Sequence, residues 1–339
     1  MSDHEWLVPL QVSRRELLAA GTILAAGALA GCRRDLRPRV CVARAASYEV
    51  DLEPILRRAL PEVGVSKSAV AGKRILLKPN LVETASGAGH INTHPEVVRA
   101  VARTLRAMGA AEVLVGEGPG HRRDTLLVLE ESGLAQVLVD EKLRFVDLNR
   151  QPGYAVANAG RRSGLVRLTL PGVLTEVDWI VSLAKLKTHH WAGATLAMKN
   201  LFGLMPGSFY GWPKNVLHYA GLQESILDIN ATVRPQLAIV DGIVGMEGDG
   251  PILGTAKPAG VLVVGTNLPA VDASAARVMG IDPTAIRYLA GAAGWLGPIA
   301  EAEIRQVGES LASVRTPFEL VGKIPAQKAL LDRQSGAGY

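Results

Sequence analysis

Cysteine is nearly absent: the 339 residues carry two, Cys32 and Cys41. Two thiols cannot build a disulfide framework, a zinc ribbon or a cysteine-ligated iron–sulfur cluster within the chain. Aromatic residues make up only 4 % of the sequence, and no stripe of Lys and Arg interleaves with them. That excludes the footprint of a nucleic-acid binder. No apolar run is long enough to span a bilayer as a mature helix. No internal repeat of solenoid period is present. The acidic Gly-rich segment Asp241–Pro251 lacks the ligand spacing and terminal Glu of a calcium-binding helix–loop–helix.

What is present begins with a targeting segment. Ser13-Arg14-Arg15-Glu16-Leu17-Leu18 resembles a twin-arginine export signal, and an apolar run follows from Leu17 to Ala30. It ends in Leu29-Ala30-Gly31-Cys32, which resembles a bacterial lipoprotein processing box with Cys32 as the lipidated residue. Residues 1–32 are therefore expected to address the chain to the twin-arginine export machinery and to tether it to the bacterial cell envelope through an N-terminal lipid. An uncleaved signal anchor is the alternative. Cleavage before Cys32 leaves 35 basic against 29 acidic residues, a net charge of +6. Such a surface suits anionic lipid or small acidic molecules rather than nucleic acid.

A chain of this length, 48 % hydrophobic, can bury one large core or two smaller ones. Short β-branched runs at 40–43, 74–77, 112–115, 144–148, 166–170, 179–183, 237–240 and 261–264 read as strands. Between them, 52–60, 95–108, 125–133, 194–204, 216–233, 269–279 and 282–293 read as helices. Strand followed by helix, repeated, predicts an α/β fold: a mostly parallel sheet with flanking helices. The organisation expected is a main lobe over 33–234, a smaller lobe over 235–325, a cleft between them and a flexible tail over 326–339. Segment 149–164, polar and rich in Gly and Arg, reads as a surface loop.

In such folds chemistry gathers where strands end, and the ionisable clusters fall there. Leu186-Lys187-Thr188-His189-His190-Trp191 leads into Met198-Lys199-Asn200, and His218 follows. Imidazole titrates near neutral pH, and a lysine's pKa falls readily on burial, so the group reads as proton-transfer, metal or covalent-cofactor chemistry. The small apolar run from His190 to Lys199 suits a closely packed helix. Which of His189 and His190 faces the cleft is open from the sequence. Lys78-Pro79-Asn80 ends a strand with a point charge and an amide, a pattern that holds a carboxylate or phosphate. Thr93-His94-Pro95-Glu96 reads as a helix start, so His94 is structural. In Gly116-Glu117-Gly118-Pro119-Gly120-His121 the glycines admit a close ligand, His121 sits at the loop tip as an acid, base or ligand, and Glu117 would oppose an anion. The carboxylates of Asp241, Glu247 and Asp249 suggest a cation, a hydroxyl-rich ligand, or pairing with Lys78 or Lys185. Asp272 reads as a complement to its own helix start.

Taken together, Leu77–Val82, Lys185–His189, Ala197–Gly203, Asp241–Ile243 with Met246–Gly248, and Pro269–Asp272 resemble the family catalogued as domain of unknown function 362, over about residues 75–280. Some relatives carry iron–sulfur modules, for which this chain has no cysteines. A fainter resemblance is to the nickel-pincer lactate racemases. Gly120-His121-Arg122, His189, Lys199, Pro206-Gly207 and His218 occur here in that family's order. The racemase resemblance implies that His121 and His189 exchange a substrate proton or hydride, that Lys199 holds the cofactor covalently, and that His218 ligates nickel or another divalent metal. Its substrate-loop motif is replaced here by Lys78-Pro79-Asn80, and the spacing from Lys199 to His218 is looser.

These observations assign His121, His189 and Lys199 to catalysis, Lys78, Asn80 and Lys187 to the substrate, and His218, Glu247 and Asp241 to a metal. The expected function is that of an envelope enzyme performing redox-neutral proton or hydride transfer on a small anionic metabolite. A lipoprotein that captures a ligand or metal without turnover, and a scaffold with a vestigial site, are the other classes.

Overall fold

The computed structural model describes residues 35–84, 86–120 and 123–336. The export and lipidation motifs, Cys32 and His121 all lie outside the described residues. Eleven strands run through the described chain: β1 (Arg39–Arg44), β2 (Arg74–Lys78), β3 (Glu112–Glu117), β4 (Arg144–Asp147), β5 (Gly153–Ala157), β6 (Arg167–Pro171), β7 (Trp179–His189), β8 (Gly193–Thr195), β9 (Leu237–Glu247), β10 (Thr255–Gly265) and β11 (Arg305–Gly308). Nine of them form one sheet in the order β11-β1-β10-β9-β7-β2-β3-β4, with β8 set against β7, while β5 and β6 form a separate ribbon. Neighbours from β9 to β4 are parallel, as are β1 and β11. The antiparallel pairs are β1–β10, β9–β10 and β7–β8. The fold is α/β with a mostly parallel sheet, as the strand–helix alternation predicts.

The central strands are apolar on both sides because helices cover both faces, as parallel sheets require. Period-two alternation sorts the side chains. Ile75 and Leu77 of β2, Val181 and Leu183 of β7 and Ile239 of β9 enter one core with Leu56, Val98, Val101 and Leu105. Leu76, Ala184, Leu186 and Val240 enter the other, with Met198, Leu201, Ile226 and Val271. The helix Pro95–Ala107, which links β2 to β3, therefore lies on the first face, and helix Leu222–Val233, on the link from β7 to β9, lies on the second. The chain thus leaves the adjacent strands β2 and β7 toward opposite faces. In an open α/β sheet that divergence opens a crevice at the strands' carboxyl ends.

Several local expectations change. β7 runs through His189 and turns back into β8, so the His pair stands at a strand end rather than at a helix entry. The helix predicted over 194–204 is reduced to Ala197–Asn200 and a 3-10 turn, Leu201–Leu204, because residues 193–195 pair with β7. Segment 149–164, read as a loop, contains β5, whose alternating exposure marks it as half of an exposed ribbon. Residues 326–336 of the segment read as a flexible tail belong to the helix Pro325–Gly336. The boundary placed at residue 234 falls between helix Leu222–Val233 and β9, and β9 pairs with β7 across it. Among the described residues no helix is long and apolar enough to cross a membrane.

Candidate functional site

The crevice at the ends of β2, β3 and β7 is a cleft of about 100 Å3 lined by Lys78, Asn80, Glu117, Lys187, His189, His190, Thr195, Lys199, Asn200, Lys214 and His218, among others. Strand periodicity builds one wall. Lys187 and His189 are two residues apart on β7 and share a face. Thr195 on β8 stands opposite Lys187 in the antiparallel register. Leu186, one residue off this period, goes into the core.

The floor is a buried ion pair. Lys78 Nζ donates to Glu117 Oε2 at 2.7 Å, to Pro79 O at 2.8 Å and to Asn200 Oδ1 at 2.9 Å. Its three protons are thereby committed within the protein. Glu117 is filled as well, accepting from Leu81 N at 2.9 Å and Gly118 N at 2.8 Å. Desolvation lowers the pKa of Lys78, and Glu117 opposes the shift. Gly203 passes so close that a Cβ there would fall on the Glu117 carboxylate and the Lys78 ammonium. The sequence reading of Glu117 as a charge opposing a bound anion is thus completed by geometry: its charge is answered by Lys78.

The three imidazoles are held in two different tautomers. His189 Nδ1 accepts from Trp191 N at 3.0 Å and from Ala192 N at 3.2 Å. A nitrogen that accepts two N–H groups carries no proton, so in the neutral ring Nε2 carries it. Burial lowers the His189 pKa well below its usual value, with Lys199, His190, Lys187 and His218 adding like charge. His190 Nδ1 lies 3.0 Å from Gly250 O and His218 Nδ1 lies 3.1 Å from Lys214 O. Facing a carbonyl, those nitrogens donate, which leaves the Nε2 lone pair on each ring. His189 is therefore a hydrogen-bond donor at Nε2, and His190 and His218 are the acceptors. Both members of the adjacent pair line the cleft.

The remaining lysines lack a carboxylate partner among the described residues. Lys187 is wholly buried, and its Nζ donates to Ile91 O at 2.8 Å and Pro251 O at 3.2 Å. Desolvation, reinforced by Lys185, Lys199 and Lys78, pushes its pKa well down. Lys199 is half-buried as a residue, but its Nζ sits 4.3 Å from the Phe202 ring centre, enclosed deeply enough for desolvation to lower its pKa to about 8. Lys214 is buried, donates to Asn149 Oδ1 and is lowered to about 7 by the same cause. Two buried polar atoms on the lining, Asn80 Oδ1 and Thr195 Oγ1, have no partner. Orphaned buried polar atoms are costly and mark where a ligand or water completes the bonding.

Two of the carboxylates singled out in the sequence stand elsewhere. Asp241 forms a buried ion pair with Lys185 at 2.8 Å and also accepts from Tyr48 OH and from His94 N. This is one of the pairings foreseen for it, and it leaves Asp241 outside the cleft lining. Glu247 pairs with Lys257 at 3.0 Å and accepts from Glu319 N. His218 lines the cleft with neither of them, and no group of three or more His, Cys, Asp or Glu among the described residues is placed to hold a metal ion. The set His218, Glu247 and Asp241 does not fit a metal site. His94 caps its helix as expected, its Nδ1 accepting from Glu96 N. Asp272 serves a helix start other than its own. It accepts from Ala197 N at 2.7 Å and Met198 N at 2.9 Å, fixing the turn that carries Lys199. Burial raises its pKa to about 8 despite those two bonds.

Sequence reasoning did not single out Thr195, Asn200 or Lys214. Asn200 lay within the Ala197–Gly203 run, but Lys214, in a left-handed backbone conformation after Pro213, carries no local signal.

The comparisons with known proteins agree with this geometry in extent. A protein described as thylakoid-associated, from Synechocystis sp., is 30 % identical over 260 residues, which cover 74 % of this chain and 77 % of that one. The model of the family described as domain of unknown function (DUF362) matches residues 75–277, a span that contains the Lys78–Glu117 pair, the His189–His190 turn, Lys199 and Lys214. The chain belongs to the DUF362 family.

Proposed function

We propose that this chain is an exported, membrane-tethered enzyme whose cleft binds a small anionic metabolite bearing a hydroxyl or carbonyl group and moves a proton on it without net redox change. One observation carries the reading: Lys78, Lys187, Lys199 and Lys214 converge on one cleft, where the one carboxylate among the described lining residues, Glu117, is already taken by Lys78. With Lys78 answered by Glu117 and Lys187 driven toward the neutral amine, Lys199 and Lys214 supply the positive charge by which a low-dielectric cleft attracts and holds an anion. Lys199 and Lys214 take the anionic group, and Asn80 Oδ1 accepts from a ligand hydroxyl. His189 Nε2–H points a hydrogen bond at a ligand oxygen, and the Nε2 of His190 receives the proton. The export and lipid motifs support the location, as does the thylakoid association in the relative's description.

Capture without turnover is the second reading. It is favoured by the full commitment of Lys78 and of His189 Nδ1 to protein partners, which describes a rigid receptor. Calorimetric titration with lactate, malate and the uncharged lactamide separates binding from its absence. Binding of the acids alone, weakened in Lys199→Met and Lys214→Met, is the expected result. Proton NMR in deuterated water then reads exchange at the hydroxyl-bearing carbon. Exchange supports the enzyme, binding without exchange supports capture, and equal indifference to acids and amide would sink both.

A further inference from the structure

We infer that Lys187 is a covalent binding residue for anionic aldehydes and ketones of the 2-oxo acid class, forming an imine within the cleft; the inference rests on the anion-binding reading above. The lysines near the cleft differ in one respect that decides their chemistry. Lys78 and Lys185 each face a carboxylate that holds the proton on, at 2.7 and 2.8 Å. Lys187 faces two carbonyl oxygens, Ile91 O and Pro251 O, and no carboxylate. Two carbonyls satisfy the two protons of a neutral amine and leave its lone pair unopposed. Full burial and the positive charge of Lys185, Lys199 and Lys78 favour that neutral form.

The neighbours suit the reaction. Thr195, opposite Lys187 across β7 and β8, is 4 % exposed, lines the cleft and has a hydroxyl without a partner. His189, on the same face two residues along, presents Nε2–H. In the first step the Lys187 lone pair forms a bond to the carbonyl carbon and the C–O π pair moves to oxygen, which accepts from Thr195 Oγ–H or His189 Nε2–H. One amine proton passes to that oxygen to give the carbinolamine. The second amine proton leaves with the hydroxyl as water, and the nitrogen lone pair forms the C=N bond. No oxidant or reductant enters the balance.

The test uses the full chain with glyoxylate and cyanoborohydride near neutral pH, followed by peptide mass mapping. Reduction of the imine leaves a carboxymethyl group on the amine that formed it. The expected result is one carboxymethyl group on Lys187, appearing about tenfold or more faster than on exposed lysines, suppressed by oxalate and absent in Lys187→Met. Thr195→Val, nearly isosteric, tests the site where Lys187→Met fails to fold, and should slow labelling of Lys187 about tenfold. Labelling at Lys199, labelling spread over exposed lysines, or an unchanged rate in Thr195→Val would overturn the inference. If oxalate binds the cleft and Lys187 stays unlabelled, imine formation fails while anion binding stands. If neither oxalate nor glyoxylate binds, the anion-binding reading fails and takes this one with it.

Discussion

Lys78 Nζ and Glu117 Oε2 lie 2.7 Å apart with both side chains 1 % exposed, at the ends of two adjacent parallel strands. Charges this deep are tolerated because each is answered by the other and by hydrogen bonds to Asn200, Pro79, Leu81 and Gly118. The arrangement is stable as a set and unstable in halves.

Glu117→Gln keeps the side-chain shape but leaves the Lys78 cation without a counter-charge. It is expected to cost about 3–5 kcal/mol of folding stability. Lys78→Met combined with Glu117→Leu should cost less than the two single changes added, since neither charge is then left behind. Urea midpoints for the four proteins check this, and strict additivity would refute the coupling.

Gly203→Ala tests the same pair from the backbone side. Its Cβ would fall on the Glu117 carboxylate and the Lys78 Nζ, neither of which can retreat without losing bonds. Overpacking of this kind costs about 1–3 kcal/mol. Thermal and urea unfolding should both report the loss, and wild-type stability would show that the backbone yields there.

These relations explain what the sequence made legible. The strands were readable because β-branched runs buried on both faces are continuous. The site's address was readable because ionisable residues crowd the ends of β2, β3 and β7. The end of β7 was harder. Its alternation of Lys185, Lys187 and His189 with Ala184, Leu186 and Thr188 has the strand period, but lysines depress strand propensity. What compensates them comes from far along the chain: Asp241 for Lys185, and the carbonyls of Ile91 and Pro251 for Lys187. Asp272 misled for the same reason, since it caps a helix whose first residue, Ala197, lies 75 positions away from it in sequence. Pairings of such separation have no local signature.

His189 should remain neutral in acid. Its Nδ1 holds two backbone N–H groups, and burial with like charge keeps its pKa well below the ordinary 6.5. The unfolded chain takes up a proton at this ring near 6.5 and the native chain does not, so native stability falls as pH drops through that value. The loss from this one ring is about 1.4 kcal/mol for each pH unit below it. His90, His94 and His190 shift in the same direction, so the comparison with His189→Gln isolates the ring. Nitrogen NMR should show Nε2 protonated and Nδ1 bare throughout, while the Gln variant loses less stability between neutral and mildly acidic pH. A His189 resonance titrating near 6.5 would contradict the geometry.

Anion affinity and folding stability should respond to alkali in opposite directions. Lys199 and Lys214 have native pKa values of about 8 and about 7, against 10.5 when unperturbed. As pH rises through those native values the cleft loses positive charge and its hold on an anion. A bound carboxylate favours the ammonium form, so binding above neutral pH takes up protons and weakens by up to about tenfold per pH unit for each proton coupled. Folding follows the other sign: between the lowered native values and 10.5 the unfolded chain binds more protons, so these two groups make the native state more stable as pH rises. Lactate titrations by calorimetry, run in two buffers of different ionisation enthalpy, measure the proton uptake directly. Lys214→Gln should remove the lower-pH part of the affinity loss and leave the part near pH 8, and Lys199→Gln the reverse. Affinity independent of pH across this window would place the bound anion away from both lysines.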